Sequence, residues 1–293
     1  MTVMVETADG RSLEVLISGP DDGLPLLLHW GTPQGAVRFG ILERPAAARN
    51  LRVISYSRPG YGASSPRRKG AATTVADDAA DAAAVLDHLG LDSFVTLGWS
   101  GGGPRALACA ALLPGRCLAA VSGAGVASAT AEGLDFLAGM GPENIEEFGA
   151  AMAGPQALED WLNREAPSTF AVTAEDVIAS FGQLLPEVDK AALTGELAEC
   201  MVESLRRAGQ QGIVGWRDDD LTLTRPWGFD LAAIEVPVSV WQGGQDKMVP
   251  FAHGVWLAER IPRARAHLYQ SEGHISLIMQ MDRILDDLLA RAG

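Results

Sequence analysis

The run Phe94-Val-Thr-Leu-Gly-Trp-Ser-Gly-Gly-Gly103 constrains the fold of this chain more than any other segment. It is apolar and then abruptly glycine-rich, and Pro104-Arg-Ala-Leu-Ala-Cys-Ala-Ala-Leu-Leu113 follows it with strong helical propensity. The pattern predicts a short buried strand that turns directly into a helix. Gly98 and Gly102 flank Ser100 two residues to either side, where small residues remove the steric cost of a strained turn. Held exposed at such an elbow, the Ser100 hydroxyl is a candidate nucleophile toward a carbonyl.

The rest of the chain extends the strand-helix alternation. Val3 to Ala8 and Ser12 to Ile17 alternate apolar with polar residues around Asp9-Gly10 and read as an opening antiparallel hairpin. Leu24 to His29, Arg52 to Tyr56, Phe94 to Gly98 and Cys117 to Ser122 read as buried strands, with a helix over Thr74 to Leu89. In that helix Asp77, Asp78 and Asp81 lie where acidic residues complement the macrodipole. The rhythm stops near Val126 and returns at Pro237 to Gln242 and Arg265 to Tyr269, each followed by a helix. Between them lie Ala-, Glu- and Leu-rich helical pieces broken at Gly141-Pro142, Gly154-Pro155, Pro167 and Pro186. The expected architecture is an α/β core over 1–125 and 226–293, with a mostly parallel sheet flanked by helices and a helical lid inserted over 126–225. Aromatic residues of the lid, Trp161 among them, are candidates to line an apolar pocket.

Charge and cysteine usage narrow the function classes. With 23 basic against 37 acidic residues, the net charge of −14 argues against nucleic acid and against an anionic membrane surface. Cys109, Cys117 and Cys200 form no C-x-x-C pair and their odd number suits a reducing compartment, so a cytoplasmic location is expected. No window approaches the length of a transmembrane helix, and the N-terminal residues lack the pattern of a signal peptide. Neither a cofactor nor a metal is expected. The expected partner is a small-molecule substrate, with a homodimer left open.

A serine nucleophile needs a base, and the base needs an acid that fixes its tautomer. Asp246, in Trp241-Gln-Gly-Gly-Gln-Asp246, and His274, in Ser271-Glu-Gly-His274, lie just beyond the last two strands. Of the other histidines, His88 and His253 fall on helices, His267 inside a strand, and His29 at a strand end where a structural role is expected. Asp218-Asp219-Asp220 offers a competing acid but reads as a solvated turn or helix cap. For the oxyanion, the expected donors are the backbone N–H of Gly101 and one from His29-Trp-Gly-Thr-Pro33, with Thr32 first and Gly31 or Trp30 next. Trp30 and Trp99 flank these donors and complete the candidate pocket.

The chain resembles the α/β-hydrolase superfamily over nearly its full length. Four motifs carry the resemblance: His29-Trp-Gly-Thr-Pro33, Ser57-Arg-Pro-Gly-Tyr-Gly-Ala-Ser64, Gly98-Trp-Ser-Gly-Gly102, and the pair Gly243-Gly-Gln-Asp246 with Gly273-His274. Within it the chain is similar to lid-bearing bacterial enzymes related to proline iminopeptidases, epoxide hydrolases and cofactor-free haloperoxidases. The resemblance implies a Ser100, Asp246, His274 triad and hydrolysis of a small ester, lactone or amide through an acyl-enzyme. Aminopeptidase, carbon-carbon hydrolase and perhydrolase activities use the same triad, and a ligand-binding protein that has lost turnover is the reading from another class. For an aminopeptidase the lid would have to supply acids such as Glu143, Glu146, Glu147, Glu159 and Asp160. Two departures stand out: Trp30 precedes Gly31 where relatives usually carry histidine, and Ser57 replaces the usual aspartate.

Overall fold

The computed structural model describes residues 1–68 and 73–293. Its sheet has eight strands: β1 (Thr2–Glu6), β2 (Ser12–Ser18), β3 (Leu24–His29), β4 (Leu51–Tyr56), β5 (Phe94–Trp99), β6 (Cys117–Gly123), β7 (Val238–Gly243) and β8 (Arg265–Tyr269). They lie in the order β1-β2-β4-β3-β5-β6-β7-β8. β1 and β2 form the antiparallel hairpin read from their alternation, β2 runs antiparallel to β4, and every other pairing is parallel.

Helices cover both faces because the central strands β3 and β5 are buried at almost every position. Leu26 and Leu28 face one core with Val95 and Leu97, packed under α1 (Gly40–Ala48) and the C-terminal helix Met281–Ala292. Leu27 faces the other core with Phe94 and Ala120, under α2 (Val75–His88), α3 (Gly103–Leu112) and the helix Phe251–Arg260. Successive residues thus point to opposite faces, as a strand demands. Thr74 and Asp77 form a capping box that starts α2. Asp78 and Asp81 do not simply complement its dipole: both are buried, Asp78 against Arg67 and Arg105, Asp81 against Arg11 and Arg67.

Between β6 and β7 the chain forms α4 (Pro142–Ala153), α5 (Pro155–Phe170), α6 (Val177–Ser180), α7 (Glu187–Ala192), α8 (Gly195–Ala208) and α9 (Val214–Leu223); the helices after β7 and β8 are α10 (Phe251–Arg260) and α11 (Met281–Ala292). Pro142 and Pro155 open helices, where the missing N–H costs nothing. Pro167, expected to break the chain, instead sits in the last turn of α5, which forgoes only the one bond its missing N–H would make. Asp218, Asp219 and Asp220 form no solvated turn: they lie within α9, and Asp219 and Asp220 are buried.

β3 is followed in sequence by β4 on one side, while β5 lies on the other. The loops after β3 and β5 therefore leave in divergent directions and open a crevice at the carboxyl ends of the strands, where open α/β sheets hold their ligands.

Candidate active site

β5 ends at Trp99, and a single 3₁₀ turn, Ser100–Gly102, feeds α3. Ser100 adopts a φ of 55°, a conformation unfavourable for any residue with a side chain, and the surrounding turn holds it there. The turn closes only because its flanks are bare: a Cβ at Gly98 would run into the Gly102 carbonyl, and one at Gly102 into the His29 carbonyl.

Asp246 and His274 meet beyond β7 and β8. His274 Nδ1 lies 2.8 Å from Asp246 Oδ2, and both residues are buried. Asp246 is itself fixed, accepting the amides of Met248 (2.9 Å) and Val249 (2.8 Å) on Oδ1 and the Gln242 amide (3.0 Å) on Oδ2. With its Nδ1–H committed to a carboxylate, the neutral imidazole keeps Nε2 as an acceptor. Burial works against charging this ring, but the adjacent Asp246 outweighs it and raises the His274 pKa above the ordinary value. His274 and Ser100 line one small apolar cavity of about 60 Å³, together with Trp30, Trp99, Phe39 and Ile278.

Three other histidines are engaged elsewhere, while His88 is exposed at the end of α2. His29 is fully buried, contacts Cys109 Sγ at 3.7 Å, and leaves Nδ1 without a partner. Burial, reinforced by the charges of Arg58 and Arg105, pushes its pKa down to about 3, so it stays neutral. His253 accepts the Ala127 amide at 3.1 Å and contacts the Phe136 carbonyl at 2.9 Å. His267 stacks on Trp241 inside the sheet.

The loop after β3 is braced from behind. Arg58 donates to the carbonyls of Trp30 (2.6 Å) and Gly31 (2.8 Å), and Arg105 to that of Gly101 (2.5 Å). Asp219 binds both guanidiniums and accepts the hydroxyls of Thr32 (2.7 Å) and Tyr61 (2.9 Å). Burial alone would raise its pKa, yet Arg58 and Arg105 hold it down to about 2. Gly31 is not available as an oxyanion donor, because its N–H goes to Gln34 Oε1 at 2.9 Å. Thr32 and Gly101 remain, and both line the larger cavity beside Ser100. Ser57, in place of the usual aspartate, bonds Glu14 and the Ala36 amide and so serves the scaffold.

That larger cavity, about 210 Å³, is walled by Phe148, Trp161, Trp216 and Leu223 of the insert, with Glu143, Glu146, Glu147 and Glu165 among its polar members. Trp161 meets Trp216 edge to face at 5.7 Å, and Trp216 donates to Glu147 at 2.6 Å. Burial raises the Glu147 pKa to about 7, and it raises Asp220, its neighbour, as well. Glu159 and Asp160 are turned away from the cavity, toward Arg217 and Gln156. Sequence reasoning missed Asp189, whose carboxylate on α7 accepts the backbone N–H of His274, missed Arg105, and misread Asp219. Only Arg58 carried a signal, its place in the Ser57-Arg-Pro-Gly motif. Among the described residues there is no cluster of His, Cys, Asp and Glu fit to hold a metal, and no helix long and apolar enough to cross a membrane.

A family model described as the alpha/beta hydrolase fold matches residues 25–279. The chain belongs to the α/β-hydrolase family. This hydrolase is 29% identical over 288 residues to a non-heme chloroperoxidase of Streptomyces lividans, a match covering 98% of each chain. It is 27% identical over 288 residues to a non-heme haloperoxidase of Rhodococcus erythropolis, covering 98% of this chain and 97% of the relative. Among solved structures it is similar to a bromoperoxidase from Bacillus anthracis, with a TM-score of 0.71, 19% identity and 99% of each chain covered, a likeness of fold.

Proposed function

We propose that this hydrolase cleaves a small ester or lactone through an acyl-enzyme on Ser100. His274 Nε2 takes the hydroxyl proton as Ser100 attacks the carbonyl, and Asp246 holds the ring and stabilises the imidazolium. The tetrahedral oxyanion is received by the Thr32 and Gly101 amides. The leaving group departs with the proton from His274, and water activated by the same nitrogen then releases the acid. The reading rests on one observation above others: His274 Nδ1 lies 2.8 Å from a buried Asp246 in a cavity shared with a strained Ser100. The segment 126–225 acts as a lid, since it supplies the aromatic wall of the larger cavity. Chloroperoxidase and haloperoxidase relatives support hydrogen peroxide as a second acyl acceptor, which would give a peracid in place of the acid.

Glu143, Glu146 and Glu147 on the cavity wall favour one second reading, release of an amino-acyl group whose ammonium they would face. A panel of p-nitrophenyl esters of varied acyl length, run beside amino-acyl arylamides and with a fluorophosphonate label, tests both. Ester turnover and labelling that vanish in Ser100→Ala are expected. Turnover confined to arylamides would favour the second reading, and an unlabelled, inactive protein would overturn both.

A further inference from the structure

The bracing behind the oxyanion loop extends from the core into the insert. Asp219 belongs to α9, while the guanidiniums it binds, Arg58 and Arg105, come from the loop after β4 and from α3. Asp219, Arg58 and Arg105 are at most 7% exposed, so this is a desolvated charge cluster with little competition from water. What the arginines hold is specific: each spends a donor on a carbonyl of the loops that carry the proposed oxyanion donors.

The consequence follows from peptide planarity. The Gly31 carbonyl and the Thr32 N–H belong to one planar trans unit and point in opposite directions. Arg58 Nη2, held by Asp219 at 2.5 Å, fixes that carbonyl at 2.8 Å and thereby sets the direction of the N–H. Asp219 ties the same residue a second time through the Thr32 hydroxyl. On the other loop, Arg105 Nη2 lies 2.8 Å from Asp219 while its Nη1 grips Gly101 from the carbonyl side.

We propose that Asp219 is a positioning residue for the oxyanion hole, fixing the Thr32 and Gly101 donors through Arg58, Arg105 and the Thr32 hydroxyl. The insert then completes the catalytic machinery as well as covering it. The inference rests on the acyl-enzyme reading of Ser100. It is separable from a simple charge effect, because a carboxylate close to a developing oxyanion disfavours it: were Asp219 acting by its field alone, removing the charge would speed the reaction.

The test compares wild type, Asp219→Asn, Thr32→Val and Ser100→Ala for ester kinetics, affinity for an arylboronic acid that forms a tetrahedral adduct on serine, and affinity for the product carboxylic acid. Asp219→Asn is expected to lower kcat on the order of 10²-fold and Thr32→Val about tenfold, with KM and product affinity little changed. Boronate affinity should fall with kcat/KM. Thr32→Val removes one tie while leaving every charge paired, so it carries the test if Asp219→Asn does not fold. Unchanged kcat in a folded variant, a faster Asp219→Asn, or equal losses of boronate and product affinity would overturn the proposal. A wild type that neither turns over esters nor binds the boronate through Ser100 would instead refute the acyl-enzyme reading, and the proposal with it.

Discussion

The carboxylate of Asp189 accepts the backbone N–H of His274 at 2.8 Å, and the amides of Ile275 (3.0 Å) and Ser276 (2.8 Å) complete its shell. A short helix of the insert therefore grips the loop that carries the proposed base. Its charge also favours the protonated His274 ring. Asp189→Asn should move the acidic limb of the kcat/KM profile to lower pH, because the imidazolium loses a stabilising neighbour. Asp189→Ala should in addition cost about 1–3 kcal/mol, since it strands buried amides. A pH–rate profile and a denaturant titration read the two effects, and an unmoved limb would limit Asp189 to a structural role.

Ser100→Ala is expected to lower esterase activity on the order of 10³-fold or more, with any residue of activity coming from the oxyanion donors and binding. Folding stability should hold or rise slightly, since the hydroxyl contributes reactivity rather than packing. Near-normal turnover in this variant would remove Ser100 from the mechanism.

For the proposed base the sign is fixed by the raised pKa of His274. The neutral ring is the active form, so activity should fall as pH drops through a value above the ordinary histidine pKa of about 6.5. Asp246→Asn removes the charge that holds the ring protonated, and should shift this limb downward while reducing kcat by roughly 10³- to 10⁴-fold. A limb that stayed in place would point to a different titrating group.

Trp30 is 4% exposed, packs on Phe39 with ring centroids 4.2 Å apart, and walls the small cavity beside Ser100. Trp30→Ala should cost about 3–5 kcal/mol of stability and shift turnover toward bulkier substrate groups, roughly tenfold or more per methylene accommodated. An ester-length series on the purified variant measures the shift. An unchanged profile would leave Trp30 as packing alone.

Glu147 holds its proton in the folded protein up to a pH of about 7, whereas an unfolded chain releases it near 4.3. Between these values the folded state binds the extra proton, so stability should decline as pH rises from about 4.5 to 7, and the neighbouring Asp220, whose pKa burial also raises, adds to the decline. Glu147→Gln should flatten this slope and be the more stable protein at pH 7.5, on the order of 1–3 kcal/mol. Parallel pH-stability curves that never cross would argue against the shifted carboxyl.

The strand and helix order was legible in the chain because it depends on short-range patterning. Apolar runs such as Leu24–His29 and Phe94–Trp99 are buried on both faces, and Gly98 and Gly102 mark the one turn that a side chain would block. Ser100, Asp246 and His274 were nameable for the same reason: each stands directly beyond a strand, in a local sequence that announces its place. Tertiary structure alone decided what braces them. Asp189 and Asp219 lie on helices of the insert with no motif of their own, and their partners are 85 and 161 residues away in the chain. A run of three aspartates reads as solvated until folding brings Arg58 and Arg105 against Asp219, because a buried carboxylate keeps its charge only when it is paired. Charge pairing across such distances leaves no periodicity in a sequence, so the residues that hold the site together became visible only in the fold.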